Sequence, residues 1–347
     1  MDSIKIAIFT DTHLGYDEKD IITGSDSFTI FNEALDISID NNVDCIIHAG
    51  DLFHSKNPSI KTAIKTNEII YNHRFPIPNQ DLSENPISFT EFQGEQIKSR
   101  TPFFIIQGNH DKIDKVDSAI NLVSASGLIY YFKDNIADDS ITLKPVMIER
   151  GNIEVALYGM GHMENFRQLL KNTISGEGKK IVFENIPDAQ NNESDNNQRF
   201  NILLLHQDSL DRADFRENIP EMVYQICSWM NLVVWGHEHE NCIEPRSVSN
   251  SETFKITQPG STIITDFRKY KQPKRSMAIL EIFQNRVDFK NIFLKTPRTY
   301  RYSRIKISDY EHIFNDSNLR KRYKNYRKDN ESLLQYQEQE IKPKFKI

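Results

Sequence analysis

The chain has 347 residues, 38% hydrophobic and 27% charged, which suits one large core with a smaller module, and no apolar run nears the roughly 20 residues of a bilayer span. Met1-Asp2-Ser3-Ile4-Lys5 leads straight into a strand pattern and not a signal-peptide apolar region, and Cys45, Cys227 and Cys242 form no CxxC pair, so the expectation is a soluble protein of a reducing compartment, cytosol or nucleus, and not a disulfide framework or a zinc cluster. The net charge of −6 is unevenly divided: residues 1–264 hold 22 Lys and Arg against 39 Asp and Glu, whereas 265–347 hold 21 against 10, an acidic body suited to cations followed by a basic segment suited to polyanions.

Ile4 to Thr10 reads as a buried strand that stops at Asp11-Thr12-His13. Phe28, Phe31, Leu35 and Ile39 then share one face of a helix. A second strand, Asp44 to Gly50, runs into Asp51; after it Ile60, Ala63, Ile64, Asn67, Ile70 and Tyr71 share a face of a second helix, whose start Pro58 marks. Phe75 to Arg100 breaks the rhythm with Pro, Asn and Glu, yet Phe89 and Phe92 make it too apolar for a pure linker, so it packs locally or docks a partner.

Pro102 to Gly108 is the third strand, running into Asn109-His110-Asp111. Glu184 to Arg199, with the run Asn191 to Asn197, reads as a disordered surface loop. Phe200 to His206 and Leu232 to His237 are the fourth and fifth strands, and Met277 to Phe283 with Arg286 to Leu294 reads as a hairpin whose antiparallel strands complete a second sheet. Strand and helix alternation argues for an α/β protein, a two-sheet α/β sandwich.

The clusters that end these strands are Asp11-Thr12-His13, Gly50-Asp51, Gly108-Asn109-His110-Asp111, His206 and Gly236-His237-Glu238-His239, all of metal-ligand or acid/base types. One such pair occurs by chance; five in order at the carboxyl ends of sheet strands mark a site. In extended backbone residues i and i+2 share a side, so Asp11 with His13, and His237 with His239, can reach one cavity, and the glycines permit sharp exits. Asp11, His13, Asp51, Asn109, His206, His237 and His239 are too many for one ion with an open position and suit two ions sharing a carboxylate. The reading takes Asp51 as the bridge, Asp11, His13 and His239 as the rest of one position, and Asn109, His206 and His237 as the rest of the other. Oxygen and imidazole donors without thiolate leave manganese, iron, zinc and magnesium open. Such a pair neutralises charge in an in-line displacement at phosphorus, which is phosphoester hydrolysis. His110 faces differently from Asn109 and is the candidate general acid, with Asp111 to orient it; the bland alternative is that it only supports Asn109. His54 is a candidate phosphate contact. His48 is expected to be a hydrogen-bonded strand residue, and His73, His162 and His312 structural or exposed.

The DxH, GD, GNH, H and GHxH series resembles the calcineurin-like metallophosphoesterases. Asp11 to Asp20, Gly50-Asp51-Leu52-Phe53-His54, Trp235 to Glu240 and Gln258-Pro259-Gly260-Ser261 look like the eukaryotic double-strand break repair nucleases of the Mre-eleven (meiotic recombination eleven) type, from Ile4 to about Leu294. The resemblance implies the metallophosphoesterase fold over 1–294 and a small, truncated DNA-binding capping domain over 295–347. It implies two manganese ions, 3′-to-5′ exonuclease activity on duplex DNA and endonuclease activity on single strands and hairpins, and a nuclear location. The implied partners are DNA, a second copy in a homodimer, an SMC-like ABC ATPase (Rad-fifty), and a Nijmegen breakage syndrome protein type subunit, the last near Phe75 to Arg100. The stretch His162 to Arg167 departs from the family's Asp-Glu-Arg-Leu-like pattern.

In the basic segment Arg268, Lys269, Lys271, Lys274, Arg275, Arg298, Arg301 and Arg304 alternate with Tyr300 and Tyr302, a spacing that can track phosphates and stack an unpaired base. Gly260-Ser261-Thr262 can offer donors to a phosphate, or simply support the site. Two other readings compete. A phosphoprotein phosphatase would carry a GDxxDxG pattern, but His54 and Lys56 stand in its acidic and glycine places. A non-catalytic scaffold for DNA ends would show a damaged ligand set, and all seven ligand positions are filled.

Overall fold

The structure, a computed structural model, describes residues 2–74, 87–90, 101–111, 118–184, 199–209, 218–265 and 274–299. In chain order these form β1 (Ile4–Phe9), α1 (Asp26–Asp40), β2 (Cys45–His48), α2 (Ile60–Arg74), β3 (Ser88–Phe89), β4 (Phe103–Ile105), α3 (Ala119–Ala125), β5 (Tyr130–Tyr131), β6 (Asn135–Ile136), β7 (Ser140–Leu143), β8 (Val146–Arg150), β9 (Ile153–Met160), α4 (Phe166–Ser175), β10 (Lys180–Phe183), β11 (Arg199–His206), α5 (Ile219–Cys227), β12 (Leu232–Gly236), β13 (Cys242–Ser247), β14 (Lys255–Gln258), β15 (Ser276–Ile282) and β16 (Val287–Phe293).

Two sheets face each other, one ordered β16-β15-β1-β2-β4-β5 and the other β13-β14-β12-β11-β9-β8-β3. Side-chain alternation along the strands builds the layers. On β1, Ile4, Ile6 and Ile8 join Val155, Leu157, Ile202, Leu204 and Val234 between the sheets, while Ala7 and Phe9 turn outward to Phe28, Phe31 and Leu35 of α1. On the other sheet Tyr158, Leu203, Leu205, Val233 and Trp235 turn outward to Phe166, Leu170, Val223 and Cys227 of α4 and α5. Strands covered on both faces must be apolar at every position, which is why they read as continuous runs. The result is the expected two-sheet α/β sandwich.

Within each sheet a block of neighbouring strands runs parallel: β1, β2, β4 and β5 in one, β9, β11, β12 and β14 in the other. Their carboxyl ends are therefore gathered by sheet pairing. The five strands read from the sequence are β1, β2, β4, β11 and β12, but they are not successive, because β3 and β5 to β10 intervene. The hairpin Met277–Leu294 also lands elsewhere than expected: β15 pairs with β1, so it extends the first sheet, and the second is built from β3, β8, β9 and β11 to β14.

The α2 helix shows how tertiary packing overrides an apolar pattern. Its buried face is Thr62, Thr66 and Ile70, whereas Ile60, Ile64 and Tyr71 are 80%, 52% and 58% exposed. Thr62 and Thr66 can lie inside because their hydroxyls bond Glu18 Oε2 (2.7 Å) and the Thr62 carbonyl (2.8 Å). Ser59, one residue after Pro58, precedes the helix and caps it, its Oγ accepting the Thr62 amide (3.1 Å).

In the stretch Phe75 to Arg100, Phe89 sits on β3 against β8 and packs on the core between the sheets; Phe92 lies outside the described residues. So do 185–198 of the expected surface loop. Lys295 and Thr296, at the start of the expected capping segment, donate their amides to Glu33 of α1 (2.7 and 2.9 Å). The rest of that segment from Tyr300 lies outside the described residues, as do Arg268, Lys269 and Lys271. No helix among the described residues is long and apolar enough to cross a membrane.

Candidate metal centre

At the carboxyl ends of β1, β2, β4, β11 and β12 the chain brings all seven sequence-derived ligand residues together. The backbone that does this is not extended. Asp11, His13, Asp51 and His237 have φ of 51°, 44°, 55° and 78°, a left-handed conformation uncommon for residues with a Cβ and concentrated at functional sites. Extended backbone is therefore not what directs Asp11 with His13 or His237 with His239, and the latter two lie in different groups. The loops after β1 and β2 hold one another instead, through Asp11 N to Gly50 O (3.0 Å), His13 N to Asp51 O (3.1 Å) and Leu14 N to Leu52 O (2.8 Å). Gly50 has φ of 98°, and a Cβ there would run into the His206 ring; one on Gly108 would overlap the Asp51 carboxylate. These glycines serve close approach as much as turning.

Two groups form around Asp51. Asp11, His13, Asp51 and His239 each offer a ligand atom within 4.8 Å of the others, with His13 Nε2 and His239 Nε2 3.0 Å apart. On the other side Asn109 Oδ1 stands 3.1 Å from His206 Nε2 and 2.8 Å from His237 Nδ1. Asp51 Oδ2 lies between the groups, 3.8 Å from His13 Nε2 and 3.5 Å from His206 Nε2. This is the geometry expected of a shared carboxylate.

Hydrogen bonds fix which imidazole nitrogen faces inward. His206 Nδ1 donates to the Ala49 carbonyl (2.7 Å), leaving Nε2 toward Asp51 and Asn109. His237 Nε2 donates to Asp208 Oδ1 (3.0 Å), leaving Nδ1 toward Asn109. His239 Nδ1 meets Thr265 Oγ1 (3.0 Å), leaving Nε2 toward His13. Such outer partners set tautomer and ring direction in metal sites. Asp208 and Thr265 have no sequence signature, since nothing in their spacing separates them from ordinary loop residues.

Burial pushes the Asp11 carboxyl up to about 6 and the His239 imidazole down to about 4, and pushes His13 well below its usual value. Burial also opposes ionisation of Asp51, but the charge and hydrogen bond of His206, then His13 and His110, outweigh it and hold the carboxyl below the usual range. Burial opposes a charge on His206 too; the Asp51 and Asp11 carboxylates outweigh it and raise that imidazole to about 9. Without a cation, one proton on His206 serves the two buried acids.

The residues fit a pair of divalent cations. Asp11 Oδ1 is buried with no hydrogen-bond partner, an uncommon and costly state for a carboxylate oxygen. Around Asn109 the inward atoms are acceptors: an amide oxygen, a carboxylate oxygen and the lone pair of His237 Nδ1. Acceptors converging on one space need a proton or a metal ion there.

His110 donates Nδ1–H to the His54 carbonyl (2.6 Å) and its backbone amide to Asp51 Oδ1 (2.8 Å), and its ring stacks on His54 with centroids 5.3 Å apart. Asp111 does not orient it, contrary to the sequence reading. That carboxylate accepts the amides of Leu52, Phe53 and Gly108 (3.1, 3.0 and 3.0 Å) and ties two site loops together. His54 also meets Tyr16 edge-on at 4.8 Å, so it stands over the same half of the site as His110 and His13.

Other assignments change. Ser261 is buried and donates Oγ to the Asp11 carbonyl (2.8 Å), so of the two readings of Gly260-Ser261-Thr262 the supporting one fits. Arg275 is buried, with Nη1 on the carbonyls of His239 (2.8 Å) and Ser261 (3.1 Å), so it braces the loop after β12 and does not track DNA. His48 is the expected strand residue, accepting the Gly50 amide at Nδ1 (3.3 Å). His162, expected to be structural or exposed, is half-buried just beyond β9 with its ring 6.0 Å from that of His237 and 6.3 Å from that of His206. The single cue in sequence is its place two residues past the apolar run that ends at Met160.

Residues 4–241 match the calcineurin-like phosphoesterase family. Over 329 residues, 91% of this chain and 45% of the relative, the chain is 31% identical to the double-strand break repair protein MRE11 of Gallus gallus. It is 34% identical to the protein of that name from Arabidopsis thaliana over 333 residues (91% and 45%) and 30% identical to that of Homo sapiens over 328 (91% and 44%). The chain thus spans less than half the length of these curated relatives.

Proposed function

The chain belongs to the calcineurin-like phosphoesterase family, and we propose that it is the phosphodiesterase of a DNA double-strand break repair nuclease. One observation carries the reading: Asp51 Oδ2 stands between His13 and His206, joining two ligand groups on a buried acidic floor. Likeness to the double-strand break repair protein MRE11 over 91% of the chain supports DNA as the substrate. Asp11, His13, His239 and Asp51 would hold one ion, and Asn109, His206, His237 and Asp51 the other. When bound, such ions supply Lewis acidity and a nucleophile at neutral pH. Manganese suits the mixed oxygen and imidazole donors.

The chain's own groups do the rest. The His54 carbonyl pins Nδ1 of His110, which leaves Nε2 to carry a proton to the leaving oxygen. His54, stacked on that ring, contacts the phosphate. The Asp111 carboxylate keeps the loops after β2 and β4 in register by accepting their amides. The reaction is read as 3′-to-5′ exonuclease cleavage of duplex ends and endonuclease cleavage of single strands and hairpins. Basic residues after Ile264, Arg268 among them, would follow the DNA backbone and make binding salt-dependent. The outward stripe of Ile60, Ile64 and Tyr71 on α2 supports a homodimer. The resemblance that implies DNA ends also implies the SMC-like ATPase, the Nijmegen breakage syndrome protein type subunit and a nuclear location.

The test is degradation of an end-labelled linear duplex by the full chain with manganese, with magnesium and with chelator, beside a phosphopeptide. Manganese-dependent release of nucleotides is expected. Phosphopeptide turnover without DNA cleavage would instead make the chain a phosphoprotein phosphatase.

A further inference from the structure

The ring of residues around the centre does not close at the five strands that carry its ligand residues. β9 lies between β8 and β11 in the second sheet and runs parallel to β11, Met160 standing opposite Leu205. Its carboxyl end therefore opens on the same rim as His206. Two residues beyond Met160 comes His162, whose ring lies 6.0 Å from His237 at a tilt of 37° and 6.3 Å from His206 at 74°.

The segment that carries His162 is fixed through its backbone. Gly161 N donates to Asp134 Oδ1 (3.1 Å), Gln207 Nε2 donates to the Gly161 carbonyl (2.9 Å), and His162 N donates to the Gln107 carbonyl (3.1 Å). Bonds from the segments that follow β4, β5 and β11 thus hold one short stretch, the support that a binding residue needs. The ring distances set His162 beside the His206/His237 pair.

We propose that His162 is a substrate-binding residue, donating an imidazole N–H to a non-bridging oxygen of the phosphodiester seated over His206 and His237. An imidazole has at least one N–H in either protonation state, and a phosphodiester oxygen offers only lone pairs. The half of the site around His13 already has His54 and His110 above it; His162 gives the opposite half its own anion contact. The inference rests on the phosphodiesterase reading and names a contact within it.

The test uses the full manganese-loaded chain, bis(4-nitrophenyl) phosphate as substrate, inorganic phosphate as inhibitor, and calorimetric titration of manganese into the metal-free protein. His162→Leu is expected to raise both KM and the phosphate inhibition constant about tenfold, the worth of one hydrogen bond to an anion, with kcat and manganese affinity held. His162→Gln, which keeps an N–H donor, is expected to recover most of that loss. Unchanged KM and inhibition constant in His162→Leu, with the parent active, overturn the inference and leave the phosphodiesterase reading standing. A fall in manganese affinity also overturns it, by making His162 a prop for the ion sites. A parent inactive on the diester overturns the reading and the inference together.

Discussion

The strands and the loops that follow them obey opposite rules within a few residues of each other. From Ile4 to Phe9 every residue except Lys5 is buried, Ile6 and Ile8 facing one core and Ala7 and Phe9 another. By Asp11 the backbone has turned left-handed, and an acid lies buried with one oxygen unpaired. β2 passes in the same way into Asp51, and β12 into His237. The strand body of β1 maximises burial of apolar side chains; the rim keeps buried charge and backbone strain, each costing stability in the metal-free chain. A site that strains its loops needs a body that does not yield, and the two regions should separate under mutation.

The sharpest separation is expected from Asp51→Asn. The amide keeps an acceptor for the His110 backbone amide but loses the charge shared by both groups, so diester hydrolysis should fall on the order of 10³-fold or more. Thermal unfolding of the metal-free protein should move down as well, because the neighbouring imidazoles outweigh burial and hold that carboxylate ionised, but far less than activity does. A large loss of stability with activity retained in the folded fraction would break the comparison. Leu204→Ala makes the converse case. Leu204 lies fully buried between the sheets, so denaturant unfolding should show a loss of about 3 kcal/mol while kcat/KM of the folded protein holds.

Within the rim, His110→Asn should lower kcat about 10²-fold, the scale of a lost general acid, with manganese affinity measured by titration unchanged. Equal rates for variant and parent would remove His110 from the chemistry. The smallest effect is on pH. The His206 imidazole is raised from 6.5 to about 9, so its contribution to metal-free stability is complete below 6.5 and is lost as pH rises through 9. A cation must displace that proton, so manganese affinity should rise by up to about tenfold per pH unit toward pH 9. Calorimetry in buffers of differing ionisation enthalpy would show the released proton.

What could be read in the sequence follows the same division. Strands covered on both faces announce themselves as apolar runs, and ligand residues announce themselves because few other tasks want Asp, His and Asn at the ends of five strands. The left-handed turns at Asp11 and His13 could not be read, since the pairing that fixes them crosses from the loop after β1 to the loop after β2. Asp208, Thr265 and His162 escaped because their roles come from where separate loops meet. The outer face of α2 misled because Thr62 and Thr66, polar by type, go inside once their hydroxyls are bonded. Arg275 misled because its guanidinium serves two backbone carbonyls and not a polyanion.

The central claim, two ions bridged by Asp51, is tested most directly by anomalous scattering from crystals of the full chain grown with manganese. Two peaks should flank Asp51, one among Asp11, His13 and His239 and the other among Asn109, His206 and His237. A single peak, or none at these side chains, would contradict the account.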